Sequence, residues 1–150
     1  MWRRLNRREA LNVGVGAFAA GVGSAAGQAR ALNGYADEIN KFTGGKTPVE
    51  GRVRLELPEL AENGNTVPLS VAVDSPAGEG AHVQEILVVA PANPNARVIR
   101  FRFSSLSVPE ASTRIRLAAT QDVIAVAKLS DGTFFSASRQ IKVTIGGCGG

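Results

Sequence analysis

From Val49 to Ile145 the apolar residues return at every second position, and that period leaves a chain of this size few folds to choose from. Side chains of a strand point alternately to opposite faces, so the pattern marks strands with one face on a core and the other in water. Val53, Leu55 and Leu57 alternate with Arg52, Arg54 and Glu56. Val67, Leu69, Val71 and Val73 form a second run, in which Pro68 predicts an edge or a strand start. Further strands are predicted at 83–90, 97–103, 112–117, 123–129 and 134–145. The run Ile86-Leu87-Val88-Val89 is apolar enough to be central, and the last strand places Ile141, Val143 and Ile145 on one face. Turn chemistry separates the runs: Glu62-Asn63-Gly64-Asn65, Asp74-Ser75-Pro76, and Ser130-Asp131-Gly132-Thr133, whose Asp-Gly pair is a strong hairpin signal.

One segment departs from this period. Across 30–48, Ala31, Leu32, Tyr35, Ile39 and Phe42 form a helical stripe, and Gly44-Gly45 and Pro48 stop it. It is read as a short helix or arm lying on the domain. About seven short strands with no second helix predict an all-β, immunoglobulin-like antiparallel β-sandwich over 49–145. The Cys–Trp–Cys hallmark of antibody domains is missing. A length of 150 residues with 44% hydrophobic and 20% charged suits one globular domain.

The net charge of +4 is local, because Arg3, Arg4, Arg7 and Arg8 against Glu9 supply most of it. Without residues 1–29 the chain has 13 basic and 12 acidic residues. A nearly neutral body argues against nucleic acid as partner. Residues 1–29 themselves read as an export signal: a basic start, a short apolar 13–23, then small residues with cleavage expected after Ala26 or Ala29. Arg7, Arg8 and Leu11 stand in twin-arginine register, with Ala10 where a larger apolar residue is usual. The apolar part is too short and glycine-rich to span or anchor in a membrane.

The last strand runs into Gly146-Gly147-Cys148-Gly149-Gly150, which holds the one cysteine of the chain. Gly146, Gly147, Gly149 and Gly150 are expected to give a thin, flexible arm, with Cys148 as its nucleophile. Glycines neither charge nor cover the sulfur, so nothing local lowers a thiol pKa from about 8.5. With no base beside it in sequence, Cys148 is read as a group that other proteins activate, and no catalytic residue is assigned. His82, the one histidine, is read as a solvated loop residue; it lacks partners for a metal site and no nucleophile elbow accompanies it. No cofactor motif is present. Arg100 and Arg102 of the fourth run and Arg114 and Arg116 of the fifth offer a basic stripe on one sheet face. That face and the edge strands are the candidate partner surfaces.

The ending Lys142-Val143-Thr144-Ile145-Gly146-Gly147-Cys148-Gly149-Gly150 resembles that of SoxY, the sulfur-carrier family of the bacterial Sox thiosulfate-oxidation system. Glu62-Asn63-Gly64-Asn65-Thr66-Val67-Pro68, Val73-Asp74-Ser75-Pro76, Ser112-Thr113-Arg114-Ile115-Arg116-Leu117, Val126-Ala127 and Ser130-Asp131-Gly132 are similar to that family as well. The resemblance implies a periplasmic, cofactor-free carrier that is not itself an enzyme. It implies sulfur intermediates bound covalently at Cys148 and a complex with SoxZ, a second small sandwich protein. It further implies service to a haem c-type cytochrome complex that loads thiosulfate, a hydrolase that removes sulfate, and a dehydrogenase complex that oxidises the remaining sulfane sulfur. The competing expectation is an exported interaction module whose tail cysteine makes an intermolecular disulfide.

Overall fold

The structure is a computed structural model that describes residues 26–74 and 80–147. Its elements are α1 (Ala26–Thr43), β1 (Val49–Glu50), β2 (Val53–Glu56), β3 (Leu60–Asn63), β4 (Val67–Val73), β5 (Val83–Val89), β6 (Arg97–Arg102), β7 (Glu110–Ile115), β8 (Gln121–Leu129) and β9 (Phe134–Ile145). One sheet has the order β1-β9-β8-β5-β6, with β3 also on β9; the other is β2-β4-β7. The two enclose a core that includes Val67, Leu69, Val71, Ile86, Val88 and Ile141, each at most 1% exposed. The chain is therefore the β-sandwich that its period predicts.

Central position explains the dense apolar run. β5 lies between β8 and β6. Ile86 and Val88 face the core between the sheets, whereas Leu87 and Val89 face outward, beneath the helix. A strand covered on both sides has no polar face to show. Phe42 of α1 closes this second, smaller core with Leu87, Val89, Val126 and Phe134, its ring meeting that of Phe134 edge-on at 6.0 Å. Burying a side chain of that size contributes roughly 2–3 kcal/mol to docking the helix. The helix ends where expected: Gly44 and Gly45 both take positive φ, and Gly45 N–H donates to Asn40 C=O at 3.1 Å, a Schellman closure. It begins at Ala26, four residues ahead of the expected start.

Among the described residues there are nine strands, not about seven, and the pairing is not wholly antiparallel. The predicted first strand is cut at Gly51 (φ 120°) and Arg52 (φ 57°). There the chain leaves one sheet for the other: Gly51 N–H donates to Ser136 C=O, and Arg52 C=O accepts from Asp74 N–H. β1 stays with β9 and β2 joins β4. β3 then returns to β9. Both β1 and β3 run parallel to β9, at its start and its end, while the longer strands pair antiparallel.

The arginines do not make one stripe. β6 belongs to the first sheet and β7 to the second. Arg100 lies over the Phe42 ring at 5.3 Å and Arg97 Nη1 is 3.9 Å from Glu38 Oε2, so β6 turns two arginines toward α1. Arg102 pairs instead with Glu85 at 3.0 Å. Period two places a residue on a face but does not say which sheet owns the strand.

Candidate functional site at the root of the arm

Cys148, Gly149, Gly150, Arg7 and Arg8 lie outside the described residues, as does most of the expected 1–29 segment. Gly146 and Gly147 are described. Gly146 lies against the Ala118 backbone, and Gly147 against that of Gly64 and Leu117.

The seat is built around Gly64. Its N–H donates to Ile145 C=O at 2.7 Å, and its C=O accepts from Leu117 N–H at 2.8 Å. Leu117 C=O in turn accepts from Gly147 N–H at 2.8 Å. Three short bonds thus lace the end of β9 to the 62–65 turn and to the stretch after β7. The backbones approach so closely that a side chain fits at none of the three glycines. A Cβ on Gly64 would lie 2.7 Å from Gly147 N and closer still to Leu117 O. One on Gly146 would run into the Ala118 carbonyl, and one on Gly147 would lie 2.8 Å from Gly64 O. Glycine is required here for close approach, not for positive φ, since none of the three is among the positive-φ residues. The last described residue is Gly147, directly before Cys148.

A buried polar network holds the other half of the seat. Gln121, 7% exposed, donates through Nε2 to Asn93 Oδ1 and Ala119 C=O, and accepts from Ala92 N–H at Oε1. Asn93 bridges the strand end, accepting from Ala118 N–H and donating Nδ2–H to Arg116 C=O, both at 2.9 Å. Val143 N–H donates to Thr120 Oγ1 at 2.9 Å. Every donor of a buried amide that is left unmatched costs about 1–3 kcal/mol, so this matched set fixes 116–121 as a rigid ledge. Ile141 is buried and Val143 half-buried, but Ile145 is 66% exposed, because β9 leaves the core there to reach the ledge.

Neither Gly64 nor Asn93 is a site residue by sequence pattern. The 62–65 cluster is the turn it was read to be, with Asn65 N–H donating to Asn63 Oδ1 at 2.9 Å. What the pattern conceals is a glycine inside a turn that needs no glycine φ. His82 stands half-buried at the head of β5, its backbone bonded to Ser130 in both directions. Among the described residues no three His, Cys, Asp or Glu side chains come together, and no helix is long and apolar enough to cross a membrane.

Solved structures place this architecture. The sulfur carrier protein SoxY from Chlorobium limicola f thiosulfatophilum matches with a TM-score of 0.63 and 33% identity, covering 75% of this chain and 98% of that one. A superoxide reductase (neelaredoxin) from Ignicoccus hospitalis matches at 0.54 and 17% identity over 62% of this chain and 80% of its own. A putative superoxide reductase from Thermotoga maritima matches at 0.52 and 19% over 68% and 89%. At those identities the two reductases share the sandwich and nothing more. No curated protein matches the chain. The model of the sulfur oxidation protein SoxY matches residues 39–148, a span that takes in Gly64, the 116–121 ledge and Gly147 and stops on the cysteine. By that match and by its likeness to the Chlorobium carrier, the chain belongs to the SoxY family of sulfur oxidation proteins.

Proposed function

We propose that the chain carries thiosulfate-derived sulfur covalently on Cys148, in the periplasm, and presents it to partner enzymes. The observation that carries this reading is the family match ending on Cys148, one residue beyond a glycine that the fold seats rigidly. A tether bonded at Gly147 gives a thiol a defined point of departure. Activation falls to the partner's site, because the thiolate and not the thiol is the nucleophile.

Loading joins the Cys148 sulfur to the outer sulfur of thiosulfate. The thiol gives up its proton, two electrons pass to a haem c-type cytochrome complex, and a cysteine S-thiosulfonate remains. Water then cleaves the terminal sulfur–sulfonate bond at a hydrolase, releasing sulfate and leaving a persulfide for a dehydrogenase complex to oxidise. A SoxZ-like small sandwich subunit is the expected companion. Arg7 and Arg8 of the leader direct export by the twin-arginine route, which carries folded proteins.

Intact mass tests the central step. Incubating the protein and its companion subunit with thiosulfate and the cytochrome complex is expected to add the mass of a thiosulfate adduct to the C-terminal peptide. Cys148→Ser takes none. A wild-type peptide that stays unmodified, or a reducible dimer through Cys148 as the working form, would replace the carrier reading with the disulfide module.

A further inference from the structure

The two sides of the sandwich are closed unequally. On one side the chain itself crosses between the sheets at Gly51 and Arg52. On the other, β6 and β7 end their sheets: among the described residues β6 pairs only with β5, and β7 only with β4. The core shows between them. Ile86 and Val88 on β5 are fully buried, yet their partners on β6, Phe101 and Ile99, are only half-buried. Leu69 and Val71 on β4 are buried too, while their partners on β7, Thr113 and Ala111, are half-buried. The loop joining the two edges carries Leu106 and Val108, 95% and 75% exposed, more than any other large apolar side chain described. Away from that loop a cleft of about 280 Å³ opens between the strands, and Arg97, Arg114 and Arg116 line it without an acidic side chain. Arg97 has Glu38 at 3.9 Å; Arg114 and Arg116 have no carboxylate partner among the described residues.

We propose that this open side is a docking groove for an extended acidic segment of a partner protein, which joins β7 as a further strand. An edge strand offers a row of free N–H and C=O groups, and a chain added there gains main-chain hydrogen bonds. Side chains of the added strand alternate between the two faces. Those turned inward cover the exposed flanks of Ile99, Phe101 and Thr113. Those turned outward lie beside Arg114 and Arg116, where cross-strand pairs of opposite charge are favourable. Antiparallel addition, the commoner pairing, sets the N-terminal half of the segment beside the two arginines and its C-terminal half beside Glu110, which repels a carboxylate. The fitting occupant therefore alternates apolar with polar residues and keeps its acids in the first half. A second copy of this chain fits poorly, since it brings arginine against arginine. Docking of this kind uses the sandwich body and is independent of what Cys148 carries.

A fluorescent peptide tests the groove. The probe has the length of a long strand, about ten residues. It alternates valine with glutamate in its first half and valine with threonine in its second, and carries the dye at its C-terminus. Fluorescence anisotropy with the full chain is expected to show saturable binding. Arg114→Gln/Arg116→Gln is expected to weaken that binding about fivefold, since exposed ion pairs contribute little each. Both side chains are exposed, so the urea midpoint should stay at the wild-type value. Arg54→Gln/Arg139→Gln removes the same charge beside β2 and should leave the affinity near wild type. N-methylation of the amides along one edge of the peptide should abolish binding, and along the other edge spare it, because only one edge meets β7. No saturable binding, an equal loss in the Arg54→Gln/Arg139→Gln control, or equal binding of the two methylated peptides overturns the groove. So does a dimer of the chain that sedimentation shows to tighten in Arg114→Gln/Arg116→Gln, which would assign this side to a second copy.

Discussion

The two ends of β9 are closed in different ways, and the contrast separates local turn chemistry from long-range packing. At its start, the hairpin from β8 turns on Asp131 and Gly132. Gly132 takes φ 80°, and Thr133 donates both its N–H and its hydroxyl to Asp131 Oδ1 at 2.9 and 2.6 Å. The bonds that shape this turn lie within the consecutive residues Leu129 to Thr133, and His82 and Lys46 only brace it from outside. At its far end, Ile145, Gly146 and Gly147 are closed by Gly64, Leu117 and Ala118, brought from two other strand ends. Glycine serves both ends, at one for a backbone angle and at the other for space. Gly147, the residue before Cys148, belongs to the second kind of closure, which depends on the packing of the whole sandwich.

The largest effect should come from filling that space. Gly64→Ala sets a Cβ against Leu117 O and Gly147 N, and backbone on either side cannot swing away as a side-chain tip would. Separating the three laced hydrogen bonds loses about 0.5–1.5 kcal/mol each, so a cost of roughly 2–4 kcal/mol is expected in urea unfolding. The exchange of the Gly147 amide with solvent should rise at the same time, while the amides of the 130–133 turn keep their protection. A Gly64→Ala protein with wild-type stability and a protected Gly147 amide would remove the distinction between the two ends.

This contrast also explains what the sequence discloses. The long strands, the central place of β5 and the stripe of α1 are legible because each is a repeat that one sheet or helix face imposes on successive residues. β1 and β3 are not, since two and four residues carry no period, and β3 follows the buried pattern of no alternating strand. The break at Gly51 and Arg52 sits inside a run whose alternation continues across it. The split of the arginines between two sheets escapes notice because β6 and β7 follow one another in sequence and share a pattern. The seat is hidden most deeply. Gly64 lies in a convincing turn and Gly146 and Gly147 in a convincing flexible tail, and only their contact shows that all three serve one junction.

Gly132→Ala probes the other closure and is expected to cost less. Its φ is strained for any residue with a Cβ, about 1–2 kcal/mol, but the nearest atom to a Cβ there is Lys46 Nζ at 3.5 Å, a flexible tip. Urea unfolding should rank Gly132→Ala between wild type and Gly64→Ala, and the Gly147 amide should keep its wild-type exchange rate. Equal losses at Gly132 and Gly64 would mean that backbone angle, and not crowding, dominates at both ends.

The smallest expected effect is a pH dependence confined to the hairpin. The Thr133 hydroxyl and N–H hold the Asp131 carboxyl below its ordinary value of 3.8, with Lys46 assisting at longer range. A folded-state pKa below the unfolded one means that protons bind the unfolded chain more readily. The resulting stabilisation is fully present above about pH 4 and is lost as pH falls through the depressed value. Asp131→Asn keeps an Oδ1 acceptor for Thr133 but removes the charge, so it should unfold at slightly lower urea than wild type at pH 7. The gap should close in acid, below the ordinary carboxylate range. Because Asp131 is exposed and far from the ledge, the alkylation rate of Cys148 at pH 7 should not change with it. A gap that persists unchanged to pH 2 would assign the hairpin's stability to geometry alone. A changed Cys148 rate would show that the two ends of β9 are coupled through the strand, contrary to the independence that their separate closures imply.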